Sequence, residues 1–342
     1  MYRNTTDRLL NWLGLSRRPQ IRVYYGYSNG SSGTVFGHVL TLGPRTGELF
    51  RNSWLFHAIY LVRLFLVRPY PFAWVSFTWN GIKFTTRTQD NGFFRFEWKG
   101  TESHLPGWYD IMVVLEEDKY RDQKITGAGK LFIPGKTPVA FVSDIDDTFL
   151  VSHTSILPRK LYLLFTKSAL SRQPFEGVIE HYRLLALWGA GPLHPNPFFY
   201  VSSSQWNLFN YILDFAHHSG LPEGIYLLNA LKGIGGIGKP GKLRYAGKFL
   251  RIVRILEMFS DSKFVLMGDD SQRDPQIYKA LADHFQGRIS AVYIRRVRGT
   301  KKSEKTKTLL QLMEAAGVPC CYFTHSSEAI AHSRRIGLIA QG

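Results

Sequence analysis

Cysteine is nearly absent from this chain of 342 residues; there are two, the neighbours Cys320 and Cys321. Adjacent cysteines rarely bridge each other, and no others exist to build a disulfide framework or a cysteine-ligated zinc site. A reducing compartment is the expectation. Acidic residues are also short, 26 against 43 lysines and arginines, which leaves a net charge of +17 and a pI near 9.8. Such a surplus favours anionic partners, whether nucleic acid, anionic lipid or phosphorylated substrates, without choosing among them. Long apolar runs are missing too. None reaches the roughly 18 residues of a membrane span, and the nearest, WLFHAIYLVRLFLV at 54–67, contains His57 and Arg63. That stretch reads as a helix packed on a sheet, with membrane contact as the alternative. The opening MYRNTTDRLLNWLGLSRRP has neither the apolar stretch nor the cleavage site of a signal peptide. The expected location is cytoplasmic, peripheral on the inner face of a membrane.

What is present is a chain with 44% hydrophobic and 14% aromatic residues, which argues against low-complexity disorder. Its length favours two domains. Up to about residue 135 the pattern is β-rich: IRVYYGYS, TVFGHVLTL, FAWVSFTWNGIKFTTRT, GFFRFEWKG and WYDIMVVLEE carry β-branched and aromatic residues separated by turn signals. A small antiparallel β-sandwich over 21–136 is expected, after an N-terminal extension at 1–20 and with one inserted helix near 52–68. From 137 to 342 apolar runs alternate with amphipathic stretches. VAFVSD, FFYVS, GIYLLN, KFVLMGDD, AVYIRR and CCYFT read as strands, with helices between them near 158–168, 176–188, 206–220, 248–259, 275–284 and 304–316. This alternation predicts an α/β domain, a parallel sheet with helices on both faces and its ligand site at the carboxyl ends of the strands.

Three of these strands end in polar residues: Ser143-Asp144, Val201-Ser202 and Gly268-Asp269-Asp270. Asp144, Asp146, Ser202, Asp269 and Asp274 would then share one crevice. Clustered carboxylates repel, and a hard cation among them relieves the repulsion; oxygen-only ligands suit Mg²⁺.

DIDDT at 144–148 matches the DxDx(T/V) signature of haloacid dehalogenase superfamily phosphatases, and GDDSQRD at 268–274 is similar to that superfamily's last acidic motif. FFYVS supplies Ser202, and GKFLRIVRILEMF supplies Lys248. More narrowly, SDIDDT, YVSSSQWNL, KFVLMGDDSQRDPQIY and AVYIRRV resemble the phosphatidate phosphatase family typified by the fungal actin-patch-associated enzyme, a relative of the lipins. TQDNGFFRFEW and GAGKLFIPG are similar to the β-rich region that precedes the catalytic domain in bacterial members. The resemblance implies a Rossmann-like parallel sheet of the haloacid dehalogenase type and Mg²⁺-dependent hydrolysis of phosphatidate to diacylglycerol. It implies Asp144 as nucleophile, Asp146 as general acid and base, and Ser202 and Lys248 as stabilisers of the phosphoryl group. Asp144, Asp269 and the Asp146 carbonyl are the implied metal ligands. Asp274 is given to the metal site or to orienting Lys248, and Asp147 and Asp270 to supporting positions. Thr148, Ser203, Lys239 and Lys242 are candidate substrate contacts, and Lys239 and Lys242 are also the alternatives to Lys248. This sequence departs from the family's GDS-G-Q-x-D by lacking that glycine, while the count to the second acid is kept.

Plainer readings stand beside these. DIDDT alone could be an acidic loop opening a helix, but the other strand-end groups argue for a site. An EF-hand fails because Phe149 stands where glycine is needed and Ser155 where the bidentate acid is needed. GIGGIGKPGK at 233–242 contains GxGxxG and GxxxxGK, yet Pro240 replaces the P-loop Ser/Thr and no helix can be read directly behind it. The expected partner is an anionic phospholipid at a membrane surface. The alternatives are a soluble phosphomonoester, a nucleic-acid end, or a non-catalytic membrane- or nucleic-acid-binding module. No RNA-binding signature is present.

Overall fold

The computed structural model describes residues 15–16, 18–44, 67–100, 104–117, 124–135, 137, 139–145, 176–190, 194–229, 242–297 and 303–340. Its first sheet joins ten strands: β1 (Leu15–Ser16), β2 (Gln20–Val23), β3 (Gly26–Ser28), β4 (Gly33–Pro44), β5 (Arg68–Pro69), β6 (Trp74–Trp79), β7 (Ile82–Arg87), β8 (Phe93–Trp98), β9 (Gly107–Leu115) and β10 (Thr126–Ile133). Pairing is antiparallel except between β10 and β3. Period-two alternation sorts the side chains: β8 buries Phe94, Phe96 and Trp98 on one side, while Phe93, Arg95 and Glu97 take the opposite side. Asn80 and Gly81 both take positive φ, 51° and 72°, at the β6–β7 turn. This is the tight hairpin geometry that an Asn-Gly pair favours.

The second sheet is parallel and six-stranded: β11 (Val139–Asp144), β12 (Phe198–Gln205), β13 (Gly224–Asn229), β14 (Lys263–Asp269), β15 (Ile289–Arg295) and β16 (Cys320–Phe323), in the order β13-β12-β11-β14-β15-β16. All six residues of β11 are buried, as a central strand covered on both faces requires. Among the described residues the helices are α1 (Val178–Leu187), α2 (Phe209–Ser219), α3 (Lys242–Met258), α4 (Asp274–His284), α5 (Ser303–Ala315) and α6 (Ser326–Arg335). α3, α4 and α5 touch in series, and α1 pairs with α6. Connections running in opposite directions along the sheet put these two groups on opposite faces.

The strands fall where the alternation puts them. α3 begins at Lys242, a turn and a half before the expected start near 248, so a helix does stand directly behind the 233–242 glycine stretch. α6 was not anticipated. The helices expected at 52–68 and 158–168 and the glycine motif at 233–239 lie outside the described residues. Cys320 and Cys321 are buried and unbridged.

The two sheets are joined by a shared aromatic core. Tyr24, Tyr27, Phe36 and Phe132 of the first sheet belong to the same buried cluster as the strands of the second. Tyr24 stacks on Trp206 with ring centroids 4.1 Å apart, and Tyr27 meets Phe199 edge-on at 5.6 Å. Tyr24 also shares a 3.1 Å hydrogen bond with His38 Nδ1. Burial pushes the His38 pKa down to about 3, with the Arg22 charge assisting.

Two outcomes follow. Trp206→Ala should cost about 3–5 kcal/mol in urea denaturation, as for other buried large-to-small changes; a loss under about 1 kcal/mol would mean the sheets do not depend on this stack. His38 is held neutral, so its protonation in the unfolded chain destabilises the fold as pH drops below about 6.5. Between pH 7 and 5 the wild type should lose about 2 kcal/mol on this account. His38→Gln should lose correspondingly less, and equal slopes for the two proteins would refute the assignment.

Candidate active site

Connections leave β11 toward β12 and β14 toward β15, in opposite directions, so a crevice opens between the carboxyl ends of β11 and β14. Asp144 ends β11 and Asp269 ends β14. Asp274 opens α4, and Lys248 reaches in from the second turn of α3. All four are buried.

Lys248 Nζ lies 2.9 Å from Asp144 Oδ1 and also donates to Asp274 Oδ1. Burial alone would lower the lysine pKa, but the Asp144 and Asp274 charges outweigh it and hold the ammonium above its ordinary value. A raised lysine pKa gives stability that is complete below about pH 10 and is lost only as pH climbs further. Asp274 Oδ2 accepts from the Asp269 backbone N–H at 3.3 Å, and Asp269 Oδ1 accepts from the N–H groups of Ser271 (2.6 Å) and Gln272 (3.3 Å). The turn after β14 thus fixes one carboxylate with the backbone and sets the next beside the lysine. Gly268 makes this possible, because a Cβ there would stand 2.9 Å from both Cβ and Cγ of Asp274.

Carboxylate oxygens of Asp144, Asp269 and Asp274 all lie within 4.8 Å of one another. This all-oxygen donor set fits a hard divalent cation such as Mg²⁺.

Ser202 lies one residue beyond the Asp144–Val201 pairing of β11 with β12, and its Oγ accepts from the Ser204 N–H at 2.9 Å. Ser203 Oγ donates to Gln272 Oε1 at 3.3 Å, and Gln272 Nε2 donates to Asp144 Oδ2 at 3.4 Å. Asp144, Ser202, Ser203, Lys248, Asp269 and Asp274 therefore gather at one sheet edge. Asp270 faces elsewhere: it accepts from Tyr322 Oη at 2.6 Å and the Val297 N–H at 2.8 Å, beyond the ends of β15 and β16. Asp146, Asp147, Thr148, Lys239 and the side chain of Lys242 lie outside the described residues.

Two members of the site were not picked out from the sequence. Gln272 bridges Ser203 and Asp144, and its place inside GDDSQRD was the available signal. Arg251 is half-buried on α3, donates from Nη2 to the Ser202 carbonyl at 3.1 Å, and feels the Asp144 carboxylate. Burial brings its pKa down to about 10 despite that carboxylate, and Arg254 adds to the lowering. Arg251 follows Lys248 by three positions, which puts both on one face of α3.

Fold and site together define an α/β protein with an acidic, lysine-bridged centre at the carboxyl edge of a parallel sheet. Residues 139–296, from β11 to just past β15, match the family described as phosphatidate phosphatase APP1, catalytic domain. Over that span the chain resembles this phosphatase family. An uncharacterized protein of Schizosaccharomyces pombe is 32% identical over 209 residues, covering 58% of this chain and 33% of that protein. The aligned region thus spans about one third of the relative's length. Among solved structures, a carbohydrate acetylesterase from Xanthomonas citri aligns over 93% of this chain and 75% of its own, with 8% identity and a TM-score of 0.32. A 1.5-MDa bacterial ice-binding adhesin aligns over 38% of this chain and 39% of its own, with 15% identity and a TM-score of 0.20. Likenesses this weak carry no argument about fold or activity.

Lys248→Met should leave two buried carboxylates facing each other without their shared cation. We expect a loss of about 3–5 kcal/mol in metal-free urea denaturation. A change below about 1 kcal/mol would mean that the bridge is not structural.

Proposed function

We propose that this protein is a Mg²⁺-dependent phosphatidate phosphatase, hydrolysing phosphatidate to diacylglycerol and phosphate through an aspartyl-phosphate on Asp144. The observation that carries the reading is the coincidence of the family match at 139–296 with the buried centre of Asp144, Lys248, Asp269 and Asp274. The fold reading that accompanies it is a haloacid dehalogenase-like catalytic domain at 137–342, preceded by a β-sandwich accessory domain at 21–136.

Asp144 attacks the phosphorus, and the leaving alcohol takes a proton from Asp146, whose side chain later deprotonates the attacking water. Lys248 offsets charge on both the nucleophile and the phosphoryl oxygens, and Asp274 holds it in place. Gln272 fixes the rotation of the Asp144 carboxylate through its contact with Oδ2. Ser202 provides a hydroxyl for the phosphoryl group, and Ser203, Thr148, Lys239 and Lys242 are the further substrate contacts. Mg²⁺, held by Asp144, Asp269 and Asp274 together with the Asp146 carbonyl, supplies positive charge against the repulsion between a carboxylate and a phosphate dianion.

The lipid substrate is inferred from the matched family and agrees with the net charge of +17, which raises the encounter rate with an anionic bilayer. Among the described residues no helix is long and apolar enough to cross a membrane. We place the enzyme in the cytoplasm, peripheral on the membrane face.

The test is phosphate release from phosphatidate in detergent micelles, with and without Mg²⁺, for the wild type and Asp144→Asn. We expect metal-dependent release that falls about 10³-fold or more in the variant. Release by Asp144→Asn at the wild-type rate would refute the mechanism. Release from an aryl phosphate but not from phosphatidate would refute the lipid substrate.

A further inference from the structure

α3 carries its basic residues past the catalytic centre. Arg251 and, one turn on, Arg254 line a cleft of about 600 Å³ between α3 and the outward side of β4 and β8. Arg95 of β8 lines the opposite wall. The cleft is thus made by both sheets, and neither makes it alone. Its charges do not balance: Arg95, Lys99, Arg251 and Arg254 share it with two carboxylates, Glu97 and Glu257. Arg95 meets Glu97 only at 3.7 Å, near the limit of an ion pair. The Arg251 Nε is cut off from solvent and has no hydrogen-bond partner among the described residues. The Arg254 charge adds to the burial that already lowers the Arg95 pKa.

Bringing guanidinium groups from two sheets to one cavity costs energy unless an anion sits between them. The planar fork of arginine matches phosphate oxygens in pairs, whereas a carboxylate would engage only one such fork well. The remaining lining includes the aromatic residues Tyr27, Phe93, Trp98 and Trp206 and the amide of Asn29, with Leu227, Leu228 and Leu250 beside them. Such walls suit an anion attached to an organic body better than a bare ion.

We propose that this cleft binds a second phosphate group, distinct from the one presented to Asp144 and carried on a larger molecule, with Arg95, Arg251 and Arg254 as its ligands. Arg251 forms the partition: its Nη2 is bonded to the Ser202 carbonyl on the catalytic side, and the same side chain lines the cleft. The phosphate could come from a lipid headgroup or from a soluble phosphorylated compound. Neither source uses the chemistry of Asp144, so the site stands whether or not the phosphatase reading holds.

The experiment is titration calorimetry of inorganic phosphate into the metal-free, full-length protein, for wild type, Arg254→Gln and Arg95→Gln. Arg254 is exposed, so its substitution leaves folding intact and keeps the test decisive if Arg95→Gln is unstable. We expect saturable binding that weakens about tenfold or more in either variant, with aryl phosphate turnover unchanged in Arg254→Gln. No saturable binding by the wild type, or phosphate affinity unchanged in Arg254→Gln, would overturn the proposal. Turnover falling in parallel with affinity would also overturn it, by placing Arg254 in the catalytic centre. Sedimentation with phosphatidylcholine vesicles, with and without phosphatidate, separates the two sources. Phosphatidate-dependent binding weakened in Arg254→Gln identifies a headgroup; binding equal in both proteins identifies a soluble ligand.

Discussion

The centre of this molecule depends on one buried ammonium. Asp144 and Asp274 arrive from different elements, the end of β11 and the start of α4, and neither could stay ionised in a dry site beside the other without a cation between them. Lys248 is that cation. The geometry around it is strict. Gly268 has to lack a side chain for Asp274 to approach β14, and the backbone N–H of Asp269 then holds the second oxygen of Asp274. Asp269 is anchored in turn by the two N–H groups that follow it. Three carboxylates are therefore kept within reach of one another by one lysine, one missing methyl group and the first turn behind a strand.

Much of this arrangement was legible in the sequence, for physical reasons. β11 and β14 are central parallel strands, buried on both faces, so they had to be uninterrupted apolar runs, and the carboxylates at their ends stood out against that background. Lys248 was legible as a basic residue beside an amphipathic stretch. Arg251 was not, because its part in the site rests on a hydrogen bond to the Ser202 carbonyl, which no sequence pattern marks. Asp270 shows the opposite failure. Its neighbour Asp269 joins the buried acidic cluster, but the next side chain turns to the other side, and Asp270 goes to Tyr322.

The contact between the sheets was hidden for another reason. Tyr24, Tyr27 and Phe36 read as ordinary members of an alternating β pattern, and alternation says only that one face of a strand is covered, not what covers it. Here the cover is Trp206, Phe209, Phe199 and Phe259 from the other sheet and its helices. The two parts of the chain thus share a hydrophobic interior, beyond what a linker and a few surface contacts would give.

α3 gives this union a mechanical meaning. Lys248 and Arg254 are six residues apart on one rigid rod, a rise of about 9 Å, and the same rod is pinned near its end where Asn29 of the first sheet donates to the Met258 carbonyl at 3.0 Å. A helix cannot be shortened between two of its own side chains. Whatever shifts α3 along its axis at the cleft must shift the lysine by the same distance at the carboxylates, so the spacing between the two positions is built into the peptide geometry itself and can be changed only by insertion or deletion.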